Sequence, residues 1–203
     1  MIRHHPSEPT LAAYATGALA EALAIVTATH LCQCHVCRQS LATLEATGGV
    51  LLDELAPVPL TGDALNRLEA RMDEPPAAPP LVLHPELPMP LNRMSLGRWW
   101  PIGLGTRFRP LHTGGTAWGG LIMAQPGRSL PRHGHEGLEL TCILSGRFAD
   151  GSGEYAAGDL SEPVTDHDDP PFVVGPEPCL CITASGGMRL RGLLGLAQRM
   201  IGQ

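Results

Sequence analysis

A proline-rich segment divides this chain of 203 residues into two unequal parts. Seven prolines lie among the 17 residues from Glu74 to Pro90. Proline lacks a backbone donor and clashes with the preceding turn of a helix, so this segment can be neither a helix nor a central strand. We expect an extended linker at residues 75–92, which separates a first domain at residues 1–74 from a second domain at residues 93–203.

The first domain has the pattern of a small helical bundle. Ser7 can cap a first helix, and apolar residues at helical spacing indicate a second helix from about residue 19 to 30. A third helix is expected from about residue 34 to 47, where a Gly-Gly pair would end it, and Thr61 can cap a fourth. A domain of this size with few large apolar side chains has a marginal core, which a metal or a partner would help to fold.

The second domain has the pattern of β-structure. The chain contains 24 glycines and 20 prolines but only 4% aromatic residues, which suits short strands joined by turns. Three segments are rich in β-branched or apolar residues and are bounded by Gly, Pro or Asp: Trp118–Ala124, Leu138–Phe148 and Cys179–Ala184. Cys179 and Cys181 share one face of the last segment, which favours core packing. The sequence therefore predicts an α+β chain whose second domain is a many-stranded sandwich or barrel.

Charge is concentrated in the first domain. The net charge of the chain is −6, and residues 1–74 hold four arginines against nine acidic residues, a net of −5. An acidic surface argues against direct binding of nucleic acid, which requires a basic footprint. It fits a partner that is itself basic, such as a DNA-binding protein.

Hydropathy and cysteine content indicate the compartment. No apolar run reaches the roughly 18 residues that a membrane span requires, and the N-terminus lacks the apolar core of a signal peptide. We therefore expect a cytoplasmic protein without a membrane partner. In a reducing compartment, the six cysteines are better explained as metal ligands, redox sensors or core residues than as disulfides.

The first domain carries a motif with metal-ligand spacing. His30, Cys34 and Cys37 form H-x-x-x-C-x-x-C, and thiolates with imidazoles are the ligands that zinc prefers. In a continuous helix the three residues share one face. If the chain instead turns after His30, both cysteines lie in the first turn of the next helix, where the helix N-terminus would lower the pKa of their thiols. The fourth ligand would come from His4 or His5, and spacing does not decide which. Cys32 and His35 are rival donors.

A second group of metal-ligating residues lies in the second domain. His133, His135 and Glu139 have the same parity, so that a single strand would point all three side chains to one side. Imidazoles with a carboxylate suit zinc, iron, manganese or nickel.

These residues resemble a known family. His5 followed by His30-x-x-x-Cys34-x-x-Cys37 in a small helical domain is similar to the zinc-binding anti-sigma domain, and specifically to the ChrR-type anti-sigma factors, in which a C-terminal cupin follows. The resemblance implies that His5, His30, Cys34 and Cys37 bind Zn²⁺.

The second domain resembles the cupin family. The spacing from Gly127 through His133, His135 and Glu139 to Gly146 matches the first cupin motif without a gap. Gly158-Asp159 and then His167 fit the second motif, although the proline and asparagine common there are displaced or absent. The resemblance implies a β jelly-roll barrel in which His133, His135, Glu139 and His167 hold Zn²⁺ or another divalent transition metal.

The family resemblance also implies a function. The helical domain would bind an extracytoplasmic-function sigma factor as a 1:1 heterodimer, block its access to RNA polymerase and release it on a stress signal. Reactive oxygen species are the signal that the resemblance suggests, with the cupin as sensor or modulator and no enzymatic activity. The alternatives are a metal-dependent cupin enzyme of dioxygenase or isomerase type with an accessory zinc domain, and a zinc-storage or zinc-sensing protein.

Overall fold

The structure is a computed structural model. It describes residues 1–72, 74–75, 83–115, 117–129, 137–163 and 171–186, together with the backbone of residues 133–135 and 188–190. The helical part of the chain, residues 1–72, contains four α-helices. They are α1 (Glu8–Ala15), α2 (Glu21–Gln33), α3 (His35–Asp53) and α4 (Ala64–Met72). None of the helices in the described part of the chain is long and apolar enough to cross a membrane.

The helices begin and end for identifiable local reasons. The Ser7 side chain accepts a hydrogen bond from the backbone N–H of Thr10 at 3.3 Å, which confirms the predicted cap of α1. Between α2 and α3 the chain turns at Cys34, whose backbone is extended (φ −101°, ψ 107°). The predicted end of α3 at Gly48 and Gly49 is wrong, because the helix continues to Asp53. Each glycine costs a helix about 1 kcal/mol relative to alanine, which weakens a helix without ending it.

The β part of the chain, residues 83–190, is built from strands. They are β1 (Trp100–Gly103), β2 (Thr106–Pro110), β3 (Trp118–Ala124), β4 (His133–His135), β5 (Glu139–Ser145), β6 (Arg147–Asp150), β7 (Gly153–Ala156), β8 (Leu160–Ser161), β9 (Phe172–Val173), β10 (Cys179–Ser185) and β11 (Met188–Leu190). A six-stranded sheet has the order β1-β2-β3-β10-β5-β8, a three-stranded sheet has the order β7-β6-β9, and β4 pairs with β11. The predicted α+β class with a β-sandwich is confirmed.

Two glycines divide what the sequence predicts as continuous strands. Gly146 (φ +73°) separates β5 from β6, and a Cβ there would collide with the Pro178 carbonyl. Gly137 (φ +98°) precedes β5, so that β4 and β5 are separate strands in different sheets. The prediction that one strand carries both histidines and Glu139 is therefore wrong. A positive φ is accessible to glycine at little cost, and it redirects the chain at both points.

The six-stranded sheet is covered on both faces. Its inner face packs against the three-stranded sheet through a core that contains Ile143, Phe148 and Tyr155, together with the predicted core residues Cys179 and Cys181. Its outer face packs against α2 through a second core: Ala22, Leu23, Ile25 and Val26 of the helix with Leu121, Leu140, Cys142, Leu160, Ile182 and Ala184 of the sheet. The helical part and the β part therefore share one hydrophobic core.

The end of the proline-rich segment also joins this core. Leu87 and Leu91 are 7% and 0% exposed and pack among the residues between α2 and the sheet. The backbone N–H of Leu83 donates to the carbonyl of Asn92 at 2.8 Å, so that residues 83–92 fold back rather than remain extended. The domain boundaries at residues 74 and 92 stay a prediction.

Candidate metal centre

Four donor side chains of the helical part converge on one point. His5 precedes α1, His30 lies in the last turn of α2, Cys34 lies at the turn, and Cys37 lies in the first turn of α3. Their ligand atoms all lie within 4.8 Å of one another, and three of the four residues are buried. Of the two arrangements that the spacing allowed, the structure has the one in which the chain turns after His30.

The donor set fits a tetrahedral zinc ion. The Nδ1 atom of His5 lies 3.4 Å from the Sγ atom of Cys34 and 3.3 Å from that of Cys37. The Nε2 atom of His30 lies 3.3 Å from the Sγ atom of Cys37. With Zn–S and Zn–N bonds of about 2.3 and 2.0 Å, nitrogen and sulfur ligands of one tetrahedron lie about 3.5 Å apart. Two sulfurs and two imidazoles at this separation can hold a metal.

The ring of His30 is prepared for ligation. His30 is fully buried, and its Nδ1 atom lies 2.8 Å from the carbonyl oxygen of Gly158. A carbonyl only accepts, so Nδ1 carries the proton and donates it, which leaves the Nε2 lone pair directed at the cluster. Burial also lowers the pKa of His30, and the nearby His5 lowers it further, although the Gly158 hydrogen bond opposes this. The neutral imidazole is the form that binds a metal.

The structure separates His5 from the rival donors. The ring of His4 packs on Tyr155, with ring centroids 4.3 Å apart, and it does not belong to the cluster. Cys32 and His35 are exposed and also lie outside the cluster. Of the two histidines, the structure brings His5 to the cluster, and this makes His5 the candidate fourth ligand.

The expected lowering of the thiol pKa is wrong for Cys37. Burial and, to a smaller extent, the neighbouring Cys34 together raise the pKa of this thiol to about 12. The position at the start of α3 does not overcome the loss of solvation. A metal that binds here must therefore displace protons, which couples metal binding to the folding of the surrounding residues.

The cluster is part of a small hydrophobic core. Leu11 of α1 and Leu31 of α2 pack with the two cysteines, and further apolar side chains pack against this group: Ile2, Tyr14, Leu41 and Leu44. Cross-linking the four donors would hold α1, α2 and α3 together in a domain with few other large apolar contacts.

The predicted second centre is only partly described. His133 and His135 lie on β4, of which the structure describes the backbone alone, and His167 lies outside the described residues. Glu139 is 9% exposed and lies on the same side of β5 as Thr141, whose hydroxyl donates to that of Thr183 at 2.8 Å. The inner face of the large sheet is thus polar near Glu139. The four-ligand cupin centre stays a prediction.

No sequence pattern indicates a further set of residues that lies beside the first centre. Gly158 of the β part contacts His30 of α2, Asp159 contacts the N-terminal segment, and Glu162 contacts Ser7 and α1. Their partners lie more than 120 positions away in the chain. Local spacing, on which the metal motif depends, carries no information about such pairs.

Comparison with known proteins identifies the class of this fold and then the family. Residues 91–188 match the ChrR cupin-like domain, so the β part is a cupin. The chain is also 38% identical to the anti-sigma-E factor ChrR of Cereibacter sphaeroides, over 91% of this chain and 90% of that protein. This chain therefore belongs to the ChrR family of anti-sigma factors.

A solved structure supports the same assignment. One chain of the crystal structure of Rhodobacter sphaeroides SigE in complex with the anti-sigma ChrR has a TM-score of 0.76 and 38% sequence identity with this chain. The match covers 91% of this chain and 99% of that chain, so it includes the helical part as well as the cupin.

Proposed function

We propose that this protein is a cytoplasmic anti-sigma factor that binds an extracytoplasmic-function sigma factor one-to-one and inhibits it. The observation that carries the proposal is the 38% identity with the anti-sigma-E factor ChrR along 91% of the chain. The similarity to a chain of the SigE–ChrR complex supports it. Both relatives favour a regulator over the alternative of a metal-dependent cupin enzyme.

An apolar surface on the helical part supports binding of a protein partner. Along α4, which the structure describes from end to end, no residue is buried, and in α3 only Cys37 is buried. Nine large apolar residues between the end of α3 and the end of α4 are more than half exposed: Val50, Leu51, Leu52, Leu55, Val58, Leu60, Leu65, Leu68 and Met72. We name these nine residues the apolar surface. So many exposed apolar side chains mark an interaction site rather than an ordinary surface.

The charge of the helical part suits the same partner. Residues 1–74 carry four arginines against nine acidic residues. A sigma factor must present basic faces to DNA, and an acidic surface would attract and cover them.

We further propose that Zn²⁺ binds His5, His30, Cys34 and Cys37 and that loss of this ion is one route to release of the sigma factor. Zinc thiolates can be oxidised, and a disulfide between Cys34 and Cys37 would no longer bind the ion. Oxidants are therefore the class of signal that the donor set favours. In the cupin, His133, His135, Glu139 and His167 would hold zinc, iron, manganese or nickel as part of a sensor.

The binding test uses two leucines that are both more than half exposed but lie in different parts of the chain. Leu68 on the apolar surface is 56% exposed, and Leu104 in the turn between β1 and β2 is 83% exposed. Covering a leucine is worth about 1.5–3 kcal/mol, so Leu68→Asp should weaken sigma-factor binding at least about tenfold. Leu104→Asp should leave the affinity unchanged.

The measurement is co-expression with the sigma factor, followed by size-exclusion chromatography with light scattering and titration calorimetry. A 1:1 complex for the unaltered chain is the expected result. Failure of the unaltered chain to associate would refute the anti-sigma proposal, whereas equal binding by both variants would refute only the assignment of the apolar surface.

The zinc test compares two cysteines of the same motif region. Cys37→Ser should remove one equivalent of zinc from the purified chain and release sigma-factor activity. Cys32→Ser is the matched control, because Cys32 is exposed and lies outside the cluster. Elemental analysis measures the stoichiometry. If Cys37→Ser retains the zinc content of the unaltered chain, the ligand assignment is wrong.

A further inference from the structure

One short segment of the cupin, residues 158–162, contacts the metal-binding part of the chain through four of its five residues. We name residues 158–162 the latch. Gly158 offers its carbonyl to Nδ1 of His30 at 2.8 Å. One carboxylate oxygen of Asp159 accepts the backbone N–H groups of Arg3 at 2.6 Å and His4 at 3.0 Å. The backbone N–H of Leu160 then donates to the carbonyl of His4 at 3.1 Å.

The last residue of the latch extends these contacts to α1. Glu162 accepts from the backbone N–H of Ser7, from the Ser7 hydroxyl and from the Thr10 hydroxyl, each at 2.8 Å. Ser7 is the residue that caps α1. The latch thus binds the chain on both sides of His5, at His4 and at Ser7.

The contacts divide the four ligands into two pairs. His5 lies between two points that the latch binds, and His30 donates directly to the latch. Cys34 and Cys37 instead pack with Leu11 and Leu31 inside the helical part. The cupin therefore positions the two imidazoles, and the helical part positions the two thiols.

The shape of the latch depends on a glycine. Gly158 has φ +90°, a conformation that side chains disfavour. A Cβ at this position would lie 2.7 Å from Cδ1 of Ile2, which packs beside the cluster. The close approach of the N-terminal segment and the direction of the carbonyl thus both require a glycine at position 158.

We propose that the latch is the outer shell of the zinc site and that docking of the cupin against the helical part sets how tightly the zinc is held. The inference rests on the zinc assignment of the proposed function. β8 in the latch pairs with β5, the strand that carries Glu139, so a rearrangement at the predicted cupin centre reaches the latch through one strand pair. Asp159 acts as a positioning residue through the backbone of His4 and does not touch the metal.

The test measures zinc release from the full-length, zinc-loaded chain into a chromophoric chelator. Outer-shell partners of metal ligands are typically worth 10–100-fold in metal affinity, so Asp159→Ala should accelerate release at least about tenfold. Asp159→Asn keeps one oxygen that can accept from the Arg3 and His4 amides and should restore part of the retention. The matched control is Asp150→Ala, since Asp150 also accepts turn amides in the cupin, those of Ser152 and Gly153, and lies outside the latch.

A second variant covers the case in which Asp159→Ala does not fold, because Asp159 also accepts the Ala156 amide within its own turn. Glu162→Gln removes one of the two carboxylate oxygens that bind Ser7 and Thr10 and should also accelerate release. Glu154→Gln is its control, since Glu154 pairs with the exposed side chain of Arg147 on β6.

A spectroscopic measurement distinguishes a shift of the imidazole ligands from a general loss of structure around the metal. In the Co²⁺-substituted chain, Asp159→Ala should change the ligand-field bands, because the imidazoles shift, while the sulfur-to-cobalt charge-transfer bands persist. Release at the rate of the unaltered chain from every folded latch variant would overturn the inference while leaving the zinc assignment intact. An unaltered chain that binds no metal at the cluster would overturn the proposed function instead.

Discussion

From the core that α2 shares with the large sheet, we predict how much Leu23→Ala lowers the stability of the chain. Leu23 is 5% exposed and packs in the core that α2 forms with the sheet, together with Leu140 and Ile182. Removing three carbons from such a site costs about 2–5 kcal/mol, the transfer term plus the cavity term. For a chain of this size each kcal/mol lowers Tm by about 2–4 °C, so a loss of about 3 kcal/mol lowers Tm by about 6–12 °C.

The assay follows the two parts of the chain with separate probes. Far-ultraviolet circular dichroism reports the helices, and the three tryptophans, at positions 99, 100 and 118, report the cupin. Both transitions should move together for Leu23→Ala, because one core joins the parts. Leu51→Ala, at a residue 61% exposed on α3, should change stability by less than about 0.5 kcal/mol. A helical transition that falls alone, with tryptophan fluorescence at its original temperature, would refute the reasoning.

Two further predictions concern glycines and thiols. Gly120→Ala should lower stability by about 1–3 kcal/mol, because a Cβ there collides with the Phe108 ring and the Arg109 carbonyl, whereas Gly48→Ala, in an open helical position, should raise it by about 0.5–1 kcal/mol. Thermal melts decide both, and an equal effect of the two variants would contradict the packing at β3. In the zinc-loaded chain the exposed Cys32 should be alkylated first. Cys142, whose pKa burial raises to about 12, should stay unmodified at pH 8 until the chain unfolds. Mass spectrometry of timed samples checks the order, and early labelling of Cys142 would contradict its burial.

Local patterns were sufficient to predict the four helices and to bring three of the four residues of the first centre together. Ser7 caps α1, and the spacing of His30, Cys34 and Cys37 brings their side chains to one point. Both features depend on residues within one or two helical turns of each other, where geometry follows directly from the sequence. The different positions of His4 and His5 could not be predicted this way, because the contacts of His4 come from Tyr155 and the latch, more than 150 positions away.

The wrongly predicted ends of helices and strands lie at glycines, and the glycines behave in opposite ways. Gly48 and Gly49 stay helical within α3, with no positive φ, whereas Gly137 and Gly146 adopt positive φ and redirect the chain. A glycine permits either outcome, and the packing of neighbouring strands and helices selects one. His133 and Glu139 would lie on the same face of one strand only if the chain between them stayed extended. At Gly137 the chain has a positive φ and does not stay extended.

The proline-rich segment suggested two modules joined by a linker, but the metal centre lies where those modules meet. Cys37 lies in the first turn of α3, and the other end of α3 carries the first residues of the apolar surface. The ion would therefore hold the start of the helix that leads to the proposed partner-binding face. His5 and His30 are held by the latch of the cupin. A signal that undocks the cupin would therefore move two ligands away from the other two, and the loss of the ion would free α3. Under the proposed function, the signal, zinc retention and partner binding would all act through this single centre.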